Sequence, residues 1–394
     1  MKANPGGQIA PEHVLGRDGL ILDIWSTLEQ QSVLLVAERR IGKTCLMRKM
    51  VAEPASGWRP VFQDLSSVGQ AEEFALLVVE QVELHLGVLK KTASRVRHFF
   101  ERNEIKMPGI PELKLRERSW KSLLVHAIED LVGEQAEQGD VRLLFLWDEV
   151  PYMLENIRRN QGEATALEVL DVLRSIRQTP ATSACRFVFT GSIGLHHVLT
   201  SLKAANKAAE PVNDMFPITV PPLAPADAEE LARRLIAGEG LSGDTHATAA
   251  AAETIAREAD YVPFYIHHVV RALQRSQRSA TPQHAEEVVA EHLVEAADPW
   301  ELRHYATRIA AYYPGRERLV ELILDELACA GAGTLLSVSE LLSRLQAQQP
   351  VDRTPLLDLL RLMERDHYLV RDTDGRLRFL FPLVGRWWKL DRGL

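Results

Sequence analysis

Short runs of consecutive apolar residues alternate with amphipathic stretches over the first half of the chain. Uninterrupted apolar runs are typical of strands buried on both faces of a sheet. The runs that predict strands are SVLLVA (32–37), PVFQDLSS (60–67), VRLLFLWDE (141–149), CRFVFTGS (185–192) and FPITVPPL (216–223). Amphipathic spacing predicts helices at about 20–30, 45–53, 71–87, 119–137 and 164–178. Alternating strands and helices indicate an α/β fold with a parallel sheet covered on both faces.

The pattern changes after about residue 224, where helical spacing takes over. A core at 1–223 is therefore expected to be followed by a helical lid at 224–295 and a connector at 296–314. The last unit, 315–394, has three predicted helices and then two short strands around an Asp-Gly turn, which is typical of a winged helix-turn-helix. A Pro- and Gly-containing stretch at 92–115 predicts a loop or hairpin inserted in the core.

Composition narrows the class of protein. The 394 residues carry a net charge of −8 and 46% apolar side chains, which fits a soluble globular protein and argues against coating nucleic acid through bulk charge. Three cysteines without a CxxC pair indicate neither a zinc site nor a disulfide framework, and free thiols fit a reducing cytoplasm. No apolar run is long enough for a signal peptide or a membrane span, so we expect a cytoplasmic protein.

The segment AERRIGKT (Ala37–Thr44) fits the phosphate-loop pattern GxxxxGK[ST] except at its first position. Such a loop turns backbone N–H groups toward phosphate oxygens, with a helix N-terminus behind them. Lys43 would reach the β- and γ-phosphates, the hydroxyl of Thr44 would bind Mg²⁺, and Gly42 would let the backbone approach closely. The alternative is a helix N-terminus that carries Lys and Thr by chance. The strand before the loop and the helix after it favour the phosphate loop.

A second motif, LLFLWDE, ends a buried strand in Asp148 and Glu149. Ligands of α/β proteins bind beyond the carboxyl ends of parallel strands, so both carboxylates are expected at the site. Asp148 would hold Mg²⁺ through water, and Glu149 would polarise the attacking water as a general base. The alternative is a strand that ends in surface carboxylates. The phosphate loop upstream makes this alternative less favoured.

A third signal is Thr190–Ser192, which ends the strand RFVFTGS. A polar side chain here would lie beside the γ-phosphate and the water, and Ser192 is the candidate. A plain strand-to-loop turn is an equal alternative, because Gly and Ser are common in turns.

Together these motifs resemble the archaeal-type ATPase family, a branch of the STAND and AAA-like P-loop ATPases. VLGRD (14–18) is similar to the family's Phe-Val-Gly-Arg-Glu entry, which places Gly16 and Arg17 by the adenine, and the loop is similar to Gly-Pro-Arg-Arg-x-Gly-Lys-Thr. Pro263 matches a Gly-Gly-x-Pro element of the lid, although both glycines are missing here. The nucleotide is expected to contact the loop and the residue after it: Ala37, Glu38, Arg39, Arg40, Ile41, Gly42, Lys43, Thr44 and Cys45.

The resemblance implies an ASCE/AAA-like core that binds ATP, ADP and Mg²⁺, with Glu149, Lys43 and Ser192 as catalytic residues. It implies a slow ATPase that works as a switch read by a partner protein or DNA, and an ATP-dependent homo-oligomer is a further expectation. Two alternatives stay open. One is a winged-helix DNA-binding protein in which ATP sets affinity, and the other is a slow-turnover regulatory scaffold for a separate effector, such as a nuclease.

Three other groups of residues are candidates for function. Adjacent histidines such as His196-His197 and His267-His268 point to different faces of a helix, so surface or packing roles are favoured over metal binding. Trp387-Trp388 is expected to dock against the protein rather than to stack on bases. Residues 337–394 contain ten Lys or Arg and eight Asp or Glu, a small excess for a DNA-binding domain. Solvated charge is therefore favoured over phosphate contacts for the arginines at 361, 365, 376 and 378.

Overall fold

The computed structural model describes residues 1–86, 119–138, 141–179, 182, 185–191, 195, 197–199, 211–241, 245–331 and 333–394. The stretch predicted to be an inserted loop or hairpin lies almost wholly outside these ranges. The chain forms two compact units. The sheet unit consists of Asp18–Val36 and Lys43–Val220, and the helical unit consists of Met1–Arg17, Ala37–Gly42 and Pro221–Leu394.

Five parallel strands form the sheet within the described part of the sheet unit, in the order β2-β3-β4-β1-β5. Their bounds are β1 Val33–Val36, β2 Trp58–Asp64, β3 Arg142–Asp148, β4 Cys185–Phe189 and β5 Phe216–Thr219. The helices of this unit are α1 Asp18–Leu28, α2 Lys43–Ala52, α3 Ala71–Leu86, α4 Ser119–Gln138, α5 Val150–Gln161 and α6 Glu163–Gln178. The predicted parallel α/β sheet is thus confirmed, and each strand is shorter than its predicted range.

The centre of the sheet is aromatic, and this explains the uninterrupted apolar runs. Trp147 stacks on Phe189 with ring centroids 5.6 Å apart, and Phe145 stacks on Phe187 at 5.4 Å. Helices α3 and α4 pack side by side, and their apolar faces belong to the same core as these rings. Strand residues that meet side chains on both faces must be apolar at every position. This packed centre positions the ends of the strands and the residues that follow them.

The helical unit begins with a short 3-10 helix at Pro11–His13 and continues after β5. Its helices are α7 Pro225–Gly238, α8 Thr245–Glu258, α9 Pro263–Arg275, α10 Pro282–Leu293, α11 His304–Tyr312, α12 Glu317–Ala330, α13 Val338–Gln346, α14 Arg353–Arg365 and α15 Pro382–Asp391. Helices α7 to α10 cover the predicted lid, and α11 lies in the predicted connector. The division into core, lid, connector and winged helix stays a prediction, since the two units do not follow those boundaries.

The C-terminal part has the predicted winged helix-turn-helix arrangement. Helices α12 to α14 precede an antiparallel hairpin of β6 (Leu369–Arg371) and β7 (Leu377–Phe379). A capping box of Ser337 and Glu340 starts α13. Helix α15 follows the hairpin and was not predicted. It buries Trp387 and Trp388, which are 4% and 2% exposed, and the Trp388 indole N–H donates to Asp325 at 2.8 Å. The predicted docking role of the tryptophans is therefore confirmed.

Within the part of the chain that the structure describes, no helix has both the length and the apolar character needed to cross a membrane.

Candidate functional site

The phosphate-loop segment is shared between the two units along the chain, because Ala37–Gly42 belongs to the helical unit and Lys43 starts α2 of the sheet unit. Gly42 has φ +101°, a conformation that L side chains rarely adopt, so glycine is required for the turn into α2. Arg40 is also left-handed, with φ +67°, whereas Ala37 has no positive φ. The alanine at the first position of the motif is thus compatible with the backbone it forms.

Arg17 fixes the backbone of this loop within the helical unit. Its buried guanidinium donates to the carbonyl oxygen of Ile41 at 3.1 Å and to that of Pro221 at 2.8 Å. The preceding Gly16 has φ +66°, and a Cβ there would lie 2.7 Å from the side chain of Asp227. The Gly-Arg pair singled out in the sequence is therefore a close-packed support of the loop.

The side chains of the loop's first half point to partners far along the chain, all in the helical unit. Both carboxylate oxygens of Glu38 accept hydrogen bonds from Arg308, at 2.9 and 3.0 Å. Arg40 donates to both carboxylate oxygens of Glu301, and its guanidinium lies 4.8 Å from the ring centroid of Phe264. Arg39 lies 3.5 Å from Glu301 and is largely exposed. Ion pairs of Glu38 and of Arg40 with residues of the helical unit thus hold the first half of the loop.

Pro263 begins α9, next to the Phe264 ring that Arg40 covers. The two residues that stand where the family motif has glycines, Asp260 and Tyr261, have φ +50° and +59°. Non-glycine residues adopt this conformation at a cost of about 1–2 kcal/mol each. The chain therefore turns before Pro263 with two consecutive non-glycine residues in the left-handed region. The carboxylate of Asp260 also accepts from the backbone N–H of Leu383 at 2.7 Å, near the start of α15.

In the sheet unit, α2 brings the second half of the loop to the end of β3. The hydroxyl of Thr44 donates to Asp148 Oδ2 at 2.5 Å. Lys43 occupies the first position of α2 and is only 7% exposed, and Cys45 after it is half-buried. Lys43 thus stands at the positive end of the dipole of α2, and the charge of the residue and the dipole both favour an anion here.

Asp148 and Glu149 lie at the carboxyl end of β3, as predicted. Asp148 is buried, and its Oδ1 accepts from the backbone N–H of Glu149 at 3.0 Å. Burial raises the pKa of Asp148 and the neighbouring charge of Glu149 adds to this, while the Thr44 hydroxyl and Lys43 oppose it. Glu149 has φ +58° and stands immediately before α5. This left-handed residue turns the chain sharply between the strand and the helix.

The end of β4 lies beside these carboxylates. Val150 N–H donates to the carbonyl of Thr190 at 3.0 Å, and a Cβ on Gly191 would lie 3.6 Å from Glu149 Oε2. The same Cβ would meet Pro151 at 2.4 Å, so the glycine permits this close approach. The buried hydroxyl of Thr190 has no hydrogen-bond partner among the described residues. Ser192, the predicted polar residue of this motif, lies outside the described residues, so its role stays a prediction.

Several residues of this region were not found from the sequence. Asp64 ends β2 directly opposite Asp148 in the strand register and adds a third carboxylate to the edge. The sequence did contain a signal for Asp64, because the strand PVFQD, like β3, ends in an acidic residue. Arg308, Glu301 and His304, which surround the first half of the loop, gave no signal, since they lie more than 260 positions away.

The paired histidines have structural roles in the described chain. Burial lowers the pKa of both His267 and His268 to about 4, and His267 Nδ1 accepts from the backbone N–H of Asn4 at 3.1 Å. Packing is thus their role, as predicted, whereas His196 lies outside the described ranges. No group of three or more His, Cys, Asp or Glu placed to hold a metal occurs among the residues that the structure describes. None of the three cysteines, all of which lie among the described residues, forms a disulfide.

The arginines of the winged helix that were candidates for phosphate contacts have local partners or lie in solvent. Arg376 pairs with Asp372 and Asp374 at 3.2 and 3.0 Å, and Arg361 pairs with Asp358 at 3.0 Å. Arg378 donates to the carbonyl of Phe379 at 3.2 Å, and Arg365 is exposed. The paired charges agree with the prediction of a solvated surface.

The five-stranded parallel sheet with the loop between β1 and α2 is the fold of the P-loop ATPases, and a helical region and a winged-helix arrangement follow it along the chain. The structure is similar to the Walker-type ATPase Paby2304 of Pyrococcus abyssi, with a TM-score of 0.61, 16% identity and coverage of 96% of this chain and 97% of that chain. The Aeropyrum pernix ORC2 protein in its ADP form gives a TM-score of 0.48 at 13% identity, with coverage of 99% and 97%. The Aeropyrum pernix ORC1 protein in complex with DNA gives 0.41 at 14% identity, with coverage of 96% and 93%. No protein-family model matches the chain, and no curated protein matches it in sequence.

Proposed function

We propose that the chain is a Mg²⁺-dependent ATPase that works as a nucleotide-controlled switch. The observation that carries this proposal is the 2.5 Å hydrogen bond from Thr44 to Asp148, beside the buried Lys43 at the start of α2. A hydroxyl, a carboxylate and an ammonium at one helix N-terminus are the groups that a nucleotide triphosphate and its cation require. The fold shared with a Walker-type ATPase supports the same conclusion.

The donor set fits Mg²⁺, because that ion prefers oxygen ligands and keeps several of its waters. The oxygens of Thr44 and Asp148 lie close enough to serve one cation, directly or through water. When bound, Mg²⁺ would neutralise charge on the β- and γ-phosphates.

In the proposed reaction, Lys43 would place its positive charge on the β- and γ-phosphates, and the first N–H groups of α2 would donate to phosphate oxygens. Glu149 would orient the attacking water and accept its proton, as a general base at the strand end. Its placement next to Gly191 supports a role for the end of β4, where we propose Ser192 as the polar neighbour of the γ-phosphate. Arg17 would keep the loop backbone in position through Ile41.

The proposal also includes a role as a switch, in which the bound nucleotide controls the arrangement of the chain. Slow hydrolysis would alter the arrangement of core, lid, connector and winged helix, and a partner protein or effector would read the change. Contacts of the loop with Glu301, Arg308 and Phe264, which belong to the lid and connector segments, support a link between nucleotide and these segments. An ATP-dependent homo-oligomer and a cytoplasmic location are proposed with it.

The purified chain is expected to bind ATP and ADP, with ATP affinity about tenfold or more higher in Mg²⁺ than in excess chelator, because the cation screens phosphate charge near Asp148. Calorimetric titration measures the affinities, and release of inorganic phosphate measures turnover. A chain that binds ATP but releases no phosphate would favour the regulatory scaffold. A chain that binds neither nucleotide would refute the proposal.

Partner protein is favoured over DNA as the reader of the switch, because the wing arginines are paired with nearby carboxylates. We expect weak duplex binding that changes little in an Arg376→Ala, Arg378→Ala double variant, with or without ATP. If the wing held DNA, removal of one phosphate contact would lower the slope of log affinity against log salt by about one unit. Binding across a salt series measures this slope. Tight binding at physiological salt that disappears in the double variant would promote the DNA-binding alternative.

A further inference from the structure

Glu38 is an unexpected residue for the phosphate loop, because its carboxylate is negative and the expected ligand is a polyanion. The side chain is 4% exposed, and it accepts a hydrogen bond from the backbone N–H of Arg39 at 2.8 Å. Two like charges at short range repel strongly where water is excluded. A loop with this residue can bind phosphates only if another group cancels its charge.

Arg308 supplies that charge from α11. Its Nη1 donates to both oxygens of Glu38, at 2.9 and 3.0 Å, and His304 Nε2 lies 3.4 Å from Oε1. Burial raises the pKa of Glu38, but the charge of Arg308 and the hydrogen bond with His304 together with nearby charge outweigh burial, so the pKa falls to about 2. The carboxylate is therefore ionised at neutral pH and paired with the buried guanidinium of Arg308.

The position of Arg308 is itself fixed by the helical unit. Its guanidinium lies 4.4 Å from the ring centroid of Tyr305 and 4.2 Å from that of Tyr368. Its Nη2 donates to the carbonyl oxygen of Asp366 at 2.9 Å, and the Asp366 carboxylate accepts from the hydroxyl of Tyr313 at 2.5 Å. A cation held by two rings and a backbone carbonyl keeps one geometry, so it can hold the loop residue in one geometry as well.

We propose that Arg308 is a positioning residue for nucleotide binding, which neutralises Glu38 and holds the first half of the phosphate loop in a conformation that accepts ATP. This inference rests on the proposed function. It assigns a role in nucleotide binding to a residue of the connector segment that acts on the loop through Glu38. It also predicts that substitution of Arg308 and substitution of Glu38 change ATP binding to different extents. Removal of Arg308 leaves a buried negative charge in the loop, whereas removal of Glu38 leaves a positive one.

The test compares Arg308→Gln, Glu38→Gln, the double variant and Arg371→Gln for binding of ATP with Mg²⁺. Arg371 is the matched control, because it is an arginine of the same unit whose carboxylate partner, Glu364 at 2.5 Å, lies outside the loop. Arg308→Gln is expected to weaken ATP binding about tenfold or more, and Glu38→Gln at least about threefold less than that, because glutamine removes the negative charge but can still accept a hydrogen bond from Arg308. The double variant is expected to bind ATP at least about threefold more tightly than Arg308→Gln, and the control is expected to stay within about threefold of the parent.

Circular dichroism and thermal unfolding establish that each variant is folded. Arg308→Lys provides a second route if Arg308→Gln does not fold, since lysine keeps the charge, and its ATP affinity is expected to stay within about threefold of the parent. Equal weakening by Arg308→Gln and Glu38→Gln, without recovery in the double variant, would show a merely structural pair and overturn the inference. So would unchanged ATP affinity in Arg308→Gln, or complete loss in a folded Arg308→Lys. Each of these results requires a parent chain that binds ATP. A parent that binds none would instead refute the proposed function, and the inference with it.

Discussion

Substitution of Lys43 by alanine is expected to weaken ATP binding by about 100-fold or more, equivalent to about 2.7 kcal/mol, with the fold retained. The ammonium lies at the first position of α2, beside the Thr44–Asp148 pair, where it would contact the β- and γ-phosphates. Its loss removes a charge that the ligand needs, and neighbouring N–H groups cannot replace a charge. Calorimetric titration with ATP and Mg²⁺ measures the change, and circular dichroism checks the fold.

Lys49 offers a matched control on the same helix. It is 8% exposed, much as Lys43 is, and pairs with Asp18 at 2.9 Å. Lys49→Ala removes an equally buried lysine outside the loop, so its ATP affinity is expected to stay within about threefold of the parent. Parental affinity in Lys43→Ala would remove the basis for the phosphate-loop assignment. Equal losses in both variants would mean that α2 had been disturbed as a whole.

The second large effect concerns hydrolysis. Glu149→Gln is expected to lower ATP turnover by about 100-fold or more, while ATP affinity stays within about threefold of the parent. Glutamine keeps the shape of the side chain but cannot accept a proton from water. Phosphate release under saturating ATP measures turnover, and a separate titration measures affinity.

Glu155 is the control for this variant, because it lies on α5, the helix that Glu149 precedes, and pairs with Arg158 and Arg159. Glu155→Gln is expected to keep turnover within about threefold of the parent, since ion pairs between residues three or four positions apart on a helix contribute little. Parallel loss of binding and turnover in Glu149→Gln would indicate a structural or cation-holding role. Parental turnover would exclude Glu149 as the base.

The fold follows from local patterns that were sufficient to predict it, and the candidate site was located from patterns of the same kind. Buried strands need apolar residues at every position, and phosphate binding needs Gly42, Lys43 and Thr44 in consecutive order. Both constraints act over a few residues, so the sequence displays them directly. The same holds for Asp148, which is the last of the seven residues of β3, and for Glu149, which follows it; the centre of that strand is apolar without interruption.

Other features could not be predicted from the sequence. Some depend on contacts between residues far apart along the chain, and others are helices whose ends no turn residue marks. The partner of Glu38 is on α11, and the partner of Arg40 precedes that helix. Helix α5 has buried apolar residues at helical spacing, but it was missed because a single residue, Glu149, separates it from β3 and leaves no turn signal between them. Helix α15 was missed because its glycine and paired tryptophans resemble an irregular tail more than a helix.

The turn before Pro263 shows a third limit on what can be predicted from the sequence. A missing glycine suggests a lost conformation, yet Asp260 and Tyr261 adopt positive φ in place of the motif's glycines. Tertiary contacts can hold a non-glycine residue in this region when they outweigh its local cost. One such contact is the hydrogen bond from Leu383 to Asp260. The absence of a residue type from a motif is thus weaker evidence than its presence.

The division of the chain has a practical consequence for cutting the protein into fragments. The chain passes between the units at four places, and the six residues Ala37–Gly42 belong to a unit whose bulk begins only at Pro221. A fragment that ends near residue 220 would contain every strand of the parallel sheet together with an intact AERRIGKT segment. It would lack Arg308 and Glu301, so Glu38 and Arg40 would lose their ion-pair partners. An expression boundary placed by sequence motifs alone would thus separate the candidate phosphate loop from the residues that hold it.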